Sequence, residues 1–132
     1  MTHRYIGTKE ITAWGQEKDG QPGYAVKYAD GYISWSPRDT FEAAYRVAEG
    51  PAQFLTFGDA VHFLKQGKRV ARHGWNGKGL WLEMQRPDEH SKMTLPYLYL
   101  NYPNDSANTP GARVPWLASQ TDTLGEDWVV LE

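Results

Sequence analysis

The stretch Lys65-Gln66-Gly67-Lys68-Arg69-Val70-Ala71-Arg72-His73-Gly74-Trp75-Asn76-Gly77-Lys78-Gly79 carries five fixed cations and no acid. Its last part sets three glycines around Trp75, Asn76 and Lys78. Glycines let backbone amides come close to an anion, nearby cations offset phosphate charge, and an indole offers its face to a base or ribose. These residues are a candidate nucleotide-phosphate site. They equally fit a solvated basic hairpin in which Asn76-Gly77 simply makes the turn, and no phosphate-loop or dinucleotide fingerprint separates the two readings.

A second stretch, Val114-Pro115-Trp116-Leu117-Ala118-Ser119-Gln120-Thr121-Asp122, follows a Trp with hydroxyl, amide and carboxylate groups in succession. Such a run can hydrogen-bond hydroxyls and the edge of a base. It can also be a capping turn, in which Ser119 or Thr121 satisfies orphan amides. Catalysis has less to work with. His3, His62, His73 and His90 show no metal-ligand spacing with one another or with a carboxylate, and Ser119 lacks the glycine frame of a nucleophile elbow. His73, beside the basic turn, is a candidate general base, but a polar residue at a strand end explains it as well. Asp122, Glu126 and Asp127 match no cation-loop pattern. The expectation is binding without catalysis, metal or cofactor, with a nucleotide hydrolase or phosphodiesterase as the alternative.

The elements that must position these groups read as α+β. A first unit, residues 1–51, opens with a strand over Tyr5–Ile11 and a polar loop through Pro22. A hairpin follows, Tyr24–Tyr28 and Tyr32–Trp35 around Asp30-Gly31, with positive φ expected at both turn residues. Ser36 as N-cap, Pro37 at the first helical position and Asp39 at the third then begin a helix, whose apolar stripe is Phe41, Ala44, Tyr45 and Ala48. A second unit, residues 53–132, starts with a helix capped by Thr56 and Asp59, carrying Phe57, Val61 and Leu64 on one face and stopped at Gly67. Strands are expected at Arg69–Arg72, Leu80–Gln85, Leu95–Asn101, Arg113–Ala118 and Asp127–Leu131, forming a mostly antiparallel sheet with Pro115 at an edge. Tyr102–Ala112 reads as an exposed loop.

Bulk properties narrow the partners. The chain has 132 residues, a net charge of −2, no cysteine, six Trp, eight Tyr and four Phe. There is no global field to draw in a nucleic-acid backbone, so anion binding must be local. Disulfides, thiolate metal sites and cysteine nucleophiles are excluded. No apolar run approaches the roughly 18–20 residues of a membrane span, and the first residues lack the apolar stretch of a signal peptide. A cytoplasmic protein is expected, with neither nucleic acid nor membrane as partner.

Two long motifs carry a resemblance. Phe57-Gly58-Asp59-Ala60, Leu64–Lys68 and Val70–Gly79 open the second unit, and Trp116–Asp122 with Asp127-Trp128 close it. In order and position these resemble the Thoeris anti-defence two family of phage proteins, over about residues 55–132. The resemblance implies a phage protein that binds glycocyclic ADP-ribose, the messenger of Thoeris immunity, and sequesters it uncleaved in the host cytoplasm. It implies a homotetramer with pockets between protomers and, in some relatives, a separate pocket for cyclic dinucleotides of the related CBASS systems. Carried over by motif, Trp75 stacks on the ligand beside Asn76, and Trp116, Ala118, Ser119, Thr121 and Asp122 form the other wall. Arg72 and Lys78, taken from the basic stretch itself, are expected beside the phosphates. Thr123 stands where the family commonly has Met, Pro115 where it has Gly, and Arg86–Thr94 is shorter than in some members. These departures bear on ligand preference rather than on the class of activity. The first unit lies outside the resemblance and is similar to a segment at the N-terminus of other phage proteins.

Overall fold

The computed structural model describes residues 1–75 and 79–131, so Asn76, Gly77 and Lys78 of the expected site lie outside the described residues. The chain divides into two compact units, Met1–Tyr45 and Arg46–Glu132.

In the first unit, strands β1 (Thr12–Gly15), β2 (Gly23–Lys27) and β3 (Ile33–Pro37) form an antiparallel sheet in that order, followed by helix α1 (Arg38–Ala44). The first strand lies later than expected. Trp14 and Trp35 both pair with Ala25 across the sheet, and Ala25 and Val26 are buried at its centre. Tyr5 and Ile6, in the stretch expected to be a strand, remain exposed. The Asp30-Gly31 hairpin forms with a different turn. Tyr28 N–H donates to Tyr32 O, Gly31 N–H donates to Tyr28 O, and of the two turn residues only Gly31 has positive φ (+89°). This is a tight turn closed by one left-handed glycine, and the Asp30 carboxylate accepts from the Tyr32 amide instead of its backbone turning over.

Helix α1 also starts later than its sequence suggests. Gly23 pairs with Pro37 and Arg38 N–H donates to Pro22 O, so the ladder claims Ser36 and Pro37 becomes the N-cap without a side-chain bond. Tyr45 is already extended, which removes Ala48 from the stripe. Arg46, next in the chain, forks onto Asp59, and Ala48 packs against the core of the second unit. These tertiary contacts override a modest helix propensity. Tyr24, Phe41 and Tyr45 stack in succession, with centroids 4.1 and 4.9 Å apart.

In the second unit, helix α2 (Phe57–Lys65) lies against one face of a five-stranded sheet. Its start follows the sequence closely. Thr56 Oγ1 accepts the Asp59 amide, and the Asp59 carboxylate accepts the Thr56 amide. Gly67, at φ +85°, ends it. Strands β4 (Arg69–Arg72), β5 (Trp81–Gln85), β6 (Tyr97–Asn101), β7 (Arg113–Pro115) and β8 (Trp128–Leu131) pair antiparallel in the order β7-β6-β5-β4-β8. Pro115 is on an edge strand, as expected. Leu55, Ala60, Phe63, Leu64, Val70, Leu82 and Trp128 make the buried core, with Met84, Leu98, Leu100 and Val130 packed around it. Between β7 and β8 the chain forms helix α3 (Gln120–Leu124), where only a capping turn was expected. Strand β7 stops at Pro115, which frees Trp116–Ala118 to form a loop.

Candidate functional site

Three tryptophans meet at one corner of the second unit. Trp128 is wholly buried on β8, while Trp75, after β4, and Trp116, after β7, are half-buried and pack on the core from its rim. The Trp75 and Trp116 centroids are 6.4 Å apart, and those to Trp128 are 5.6 and 6.1 Å, all edge-to-face. Phe57 at the start of α2 closes the cluster at 5.3 Å from Trp128 and 6.1 Å from Trp116. Such tilted pairs are the favoured arrangement of aromatic quadrupoles. The structure therefore brings together the two indoles that the sequence places in separate stretches.

The polar part of the corner is organised by Arg72, the last residue of β4. Its Nε donates to Asp127 Oδ1 and its Nη1 to Asp122 Oδ1, both at 2.8 Å. Its guanidinium lies 5.9 Å from the Trp128 ring centroid. Asp122 is the third residue of α3 and completes a capping box: its Oδ2 accepts the Ser119 amide, and its own amide donates to Ser119 Oγ. Trp128 Nε1–H donates to the Asp122 carbonyl at 2.9 Å. Asp127 Oδ2 accepts the Gly74 amide, and its carbonyl accepts the His73 amide. Burial alone pushes both carboxyls up. For Asp122 the Ser119 amide and Arg72 outweigh it, and for Asp127 Arg72 and the Gly74 amide do so, leaving both below the ordinary carboxylate range. The Arg72 guanidinium is correspondingly raised, first by its bond to Asp127, with burial opposing.

The expected residues fall into distinct positions. Ala118 is half-buried, Ser119 and Thr121 are exposed with hydroxyls 3.0 Å apart, and Asp122 is buried. Arg72, expected beside phosphates, is engaged by two carboxylates. The basic stretch does not form one surface. Arg69 and Arg72 are three residues apart on β4 and point to opposite faces of the sheet, and Arg69 lies over Trp81. Lys68 lies over Phe63. His73 Nε2 lies 2.9 Å from the Gln53 carbonyl and its ring 5.2 Å from Phe54, the surroundings of a structural histidine.

Asp127 and Gly125 were not expected as parts of this corner, and Gly74 was expected only as a glycine of the turn, not as a partner of Asp127. A Cβ on Gly125 would stand 2.8 Å from Arg72 Nη2 and from Thr121 O, and one on Gly74 would stand 3.0 Å from Asp127 Oδ2. Both glycines leave room for the ion pairs. The sequence signals here were the glycine turn around Trp75, the Ser119…Asp122 spacing and the Asp127-Trp128 motif. Among the described residues no cluster of three or more His, Asp or Glu could hold a metal, and no helix is long and apolar enough to cross a membrane.

The second unit is thus a small α+β domain whose one-helix-covered sheet ends in a tryptophan corner, braced by an ion-paired loop. Residues 55–131 match the model of the Thoeris anti-defense 2-like domain, and the chain belongs to that family. It is 33% identical over 85 residues to Thoeris anti-defense 2 of Bacillus phage SP01, across 58% of this chain and 94% of that protein. Family membership gives the protein a phage anti-defence role.

Proposed function

We propose that the protein is a sponge: it binds glycocyclic ADP-ribose, the nucleotide messenger of Thoeris immunity, and holds it uncleaved in the host cytoplasm. The observation that carries this reading is the meeting of Trp75 and Trp116 at 6.4 Å, next to a turn and a helix start rich in hydrogen-bonding groups. Indole faces and edges recognise a base or ribose, and backbone amides and hydroxyls recognise its polar edge. In this reading Trp75 belongs to one wall and Trp116, Ala118, Ser119 and Thr121 to the other; Asn76 and Lys78, expected beside Trp75, lie outside the described residues. Arg72 and Asp122 belong to the site from beneath, through the groups they hold.

A non-catalytic binder must hold its ligand well below the concentration that triggers the receptor. A nanomolar dissociation constant corresponds to about −12 kcal/mol. A small polar ligand reaches that only when nearly enclosed. Further copies of the chain, in the tetramer that the family resemblance implies, supply the rest of the enclosure in this reading. Cyclic dinucleotides are the second ligand class to be measured beside the first.

Trp75→Ala is the test. We expect binding of glycocyclic ADP-ribose in calorimetry to be lost, with the oligomer and the far-ultraviolet circular dichroism unchanged. Wild-type affinity in this variant would refute the pocket assignment.

A further inference from the structure

We propose that Arg72, with Asp127 and Asp122 as its partners, is a positioning residue that locks the two walls of the candidate site into one arrangement before any ligand arrives. The consequence for ligand rests on the sponge reading above; the locking does not.

The two walls are far apart in sequence. One is the turn His73–Trp75, the other the loop and helix start Trp116–Asp122. Each is tied to one edge of the Arg72 fork. Through Asp127 the guanidinium reaches the Gly74 amide, and through Asp122 it reaches the Ser119 amide and hydroxyl. Trp75 N–H also donates to the Arg72 carbonyl at 3.2 Å, so the same residue anchors that turn by its backbone.

The second wall has few other anchors. Asp122 is the one buried residue of α3, and Leu117 and Leu124 on either side of it are 92% and 76% exposed. Trp116 packs on the core at one end of the segment, but its other end is held by polar contacts: the Arg72 pair and the Trp128 indole bond to the Asp122 carbonyl. A segment with little buried apolar surface opens locally at low cost while the core stays folded. Removing the fork therefore loosens the wall without unfolding the sheet.

Lysine cannot substitute. Its ammonium is a compact point charge on a flexible stem, whereas the planar guanidinium presents fixed donors along two edges to two different carboxylates. Gly125 reinforces this, since any side chain there would meet Nη2.

Amide hydrogen exchange on the unliganded protein tests the locking directly in Arg72→Lys, with Arg46→Lys as the control that alters a fork elsewhere. The Gly74 and Ser119 amides should both exchange faster by about tenfold or more in Arg72→Lys, as local opening becomes cheaper. The Val70 and Leu82 amides of the core strands should accelerate by no more than the loss of stability measured in urea, whereas exchange at Gly74 and Ser119 should stay nearly independent of low urea, the mark of local opening. None of the four should change by more than about twofold in Arg46→Lys. Wild-type rates at Gly74 and Ser119 in Arg72→Lys, or exchange there that follows global unfolding in urea, would overturn the proposal. In calorimetry, Arg72→Lys should bind glycocyclic ADP-ribose about tenfold more weakly, the scale of one charge-assisted bond, and Arg46→Lys as wild type does. If the wild-type protein ignores this ligand, the sponge reading fails, and the exchange rates still decide the locking.

Discussion

The second unit uses one local device twice, and the two uses differ in what stands behind them. Thr56…Asp59 and Ser119…Asp122 are both reciprocal capping boxes, and in each the aspartate also accepts from an arginine outside its helix. Behind Asp59 lies α2, which buries Ala60, Phe63 and Leu64. Its helix would be held by the core even with a weaker cap. Behind Asp122 lies α3, five residues long, which buries nothing but Asp122 itself. The first box decorates an element that packing already secures, and the second box with its arginine is much of what secures the element. Identical local chemistry is thus accessory in one place and structural in the other, and the second place adjoins the tryptophan corner.

The largest separation between the two regions should come from their leucines. Leu64 is fully buried, so Leu64→Ala should destabilise the protein by about 3 kcal/mol. Leu124→Ala, at an exposed position, should stay within about 0.5 kcal/mol in the same urea titration.

The arginines come next. The Arg72 side chain is 15% exposed and faces two carboxylates, whereas Arg46 is 37% exposed and faces one. Arg72→Ala should cost about 2 kcal/mol, below the range for a fully buried pair, and Arg46→Ala about 0.5 kcal/mol. Asp122 and Asp127 titrate below the ordinary carboxylate range in the folded protein. Their pairing therefore contributes fully above about pH 4 and is lost as pH falls below it. The stability gap between wild type and Arg72→Ala should be constant from neutral pH down to that point and then narrow. A gap that instead changed between pH 6 and 8 would implicate another group.

The smallest difference in stability, and the sharpest contrast in binding, belongs to the caps. Thr56→Ala and Ser119→Ala should each cost about 1 kcal/mol. Only Ser119→Ala should also weaken binding of glycocyclic ADP-ribose, because only that box forms a wall of the proposed site. Equal effects of both on binding would mean that stability alone is being read.

The same contrast explains what could be read from the residues. The bounds of helix α2 were legible, because Thr56, Asp59 and Gly67 agree with one another, but its buried face was read only in part: Ala60 and Phe63 join Leu64 in the core, while Val61 is half-buried. The strands from Arg69 onward and the edge place of Pro115 were legible for the same reason. Helix α3 was not, since five residues carry too little periodicity to distinguish a helix from a capping turn. In the first unit the strand at Thr12–Gly15 was hidden because its value lies in packing Trp14 and Trp35 about Ala25, which only the pairing reveals. At the candidate site, Trp75 and Trp116 were legible by type. The binding of Arg72 by Asp122 and Asp127 was not: fifty and fifty-five residues separate them, and only the pairing of β4 with β8 brings them together. In sequence, a cation destined for a carboxylate looks the same as one destined for a phosphate.

The central claim is sequestration, and one measurement addresses it directly. Purified protein is titrated with glycocyclic ADP-ribose in a calorimeter, then denatured, and the released ligand is analysed. We expect saturable binding with a dissociation constant on the order of nanomolar and recovery of the ligand chemically intact. Absence of binding at micromolar ligand, or a hydrolysed product that accumulates with turnover, would contradict the account.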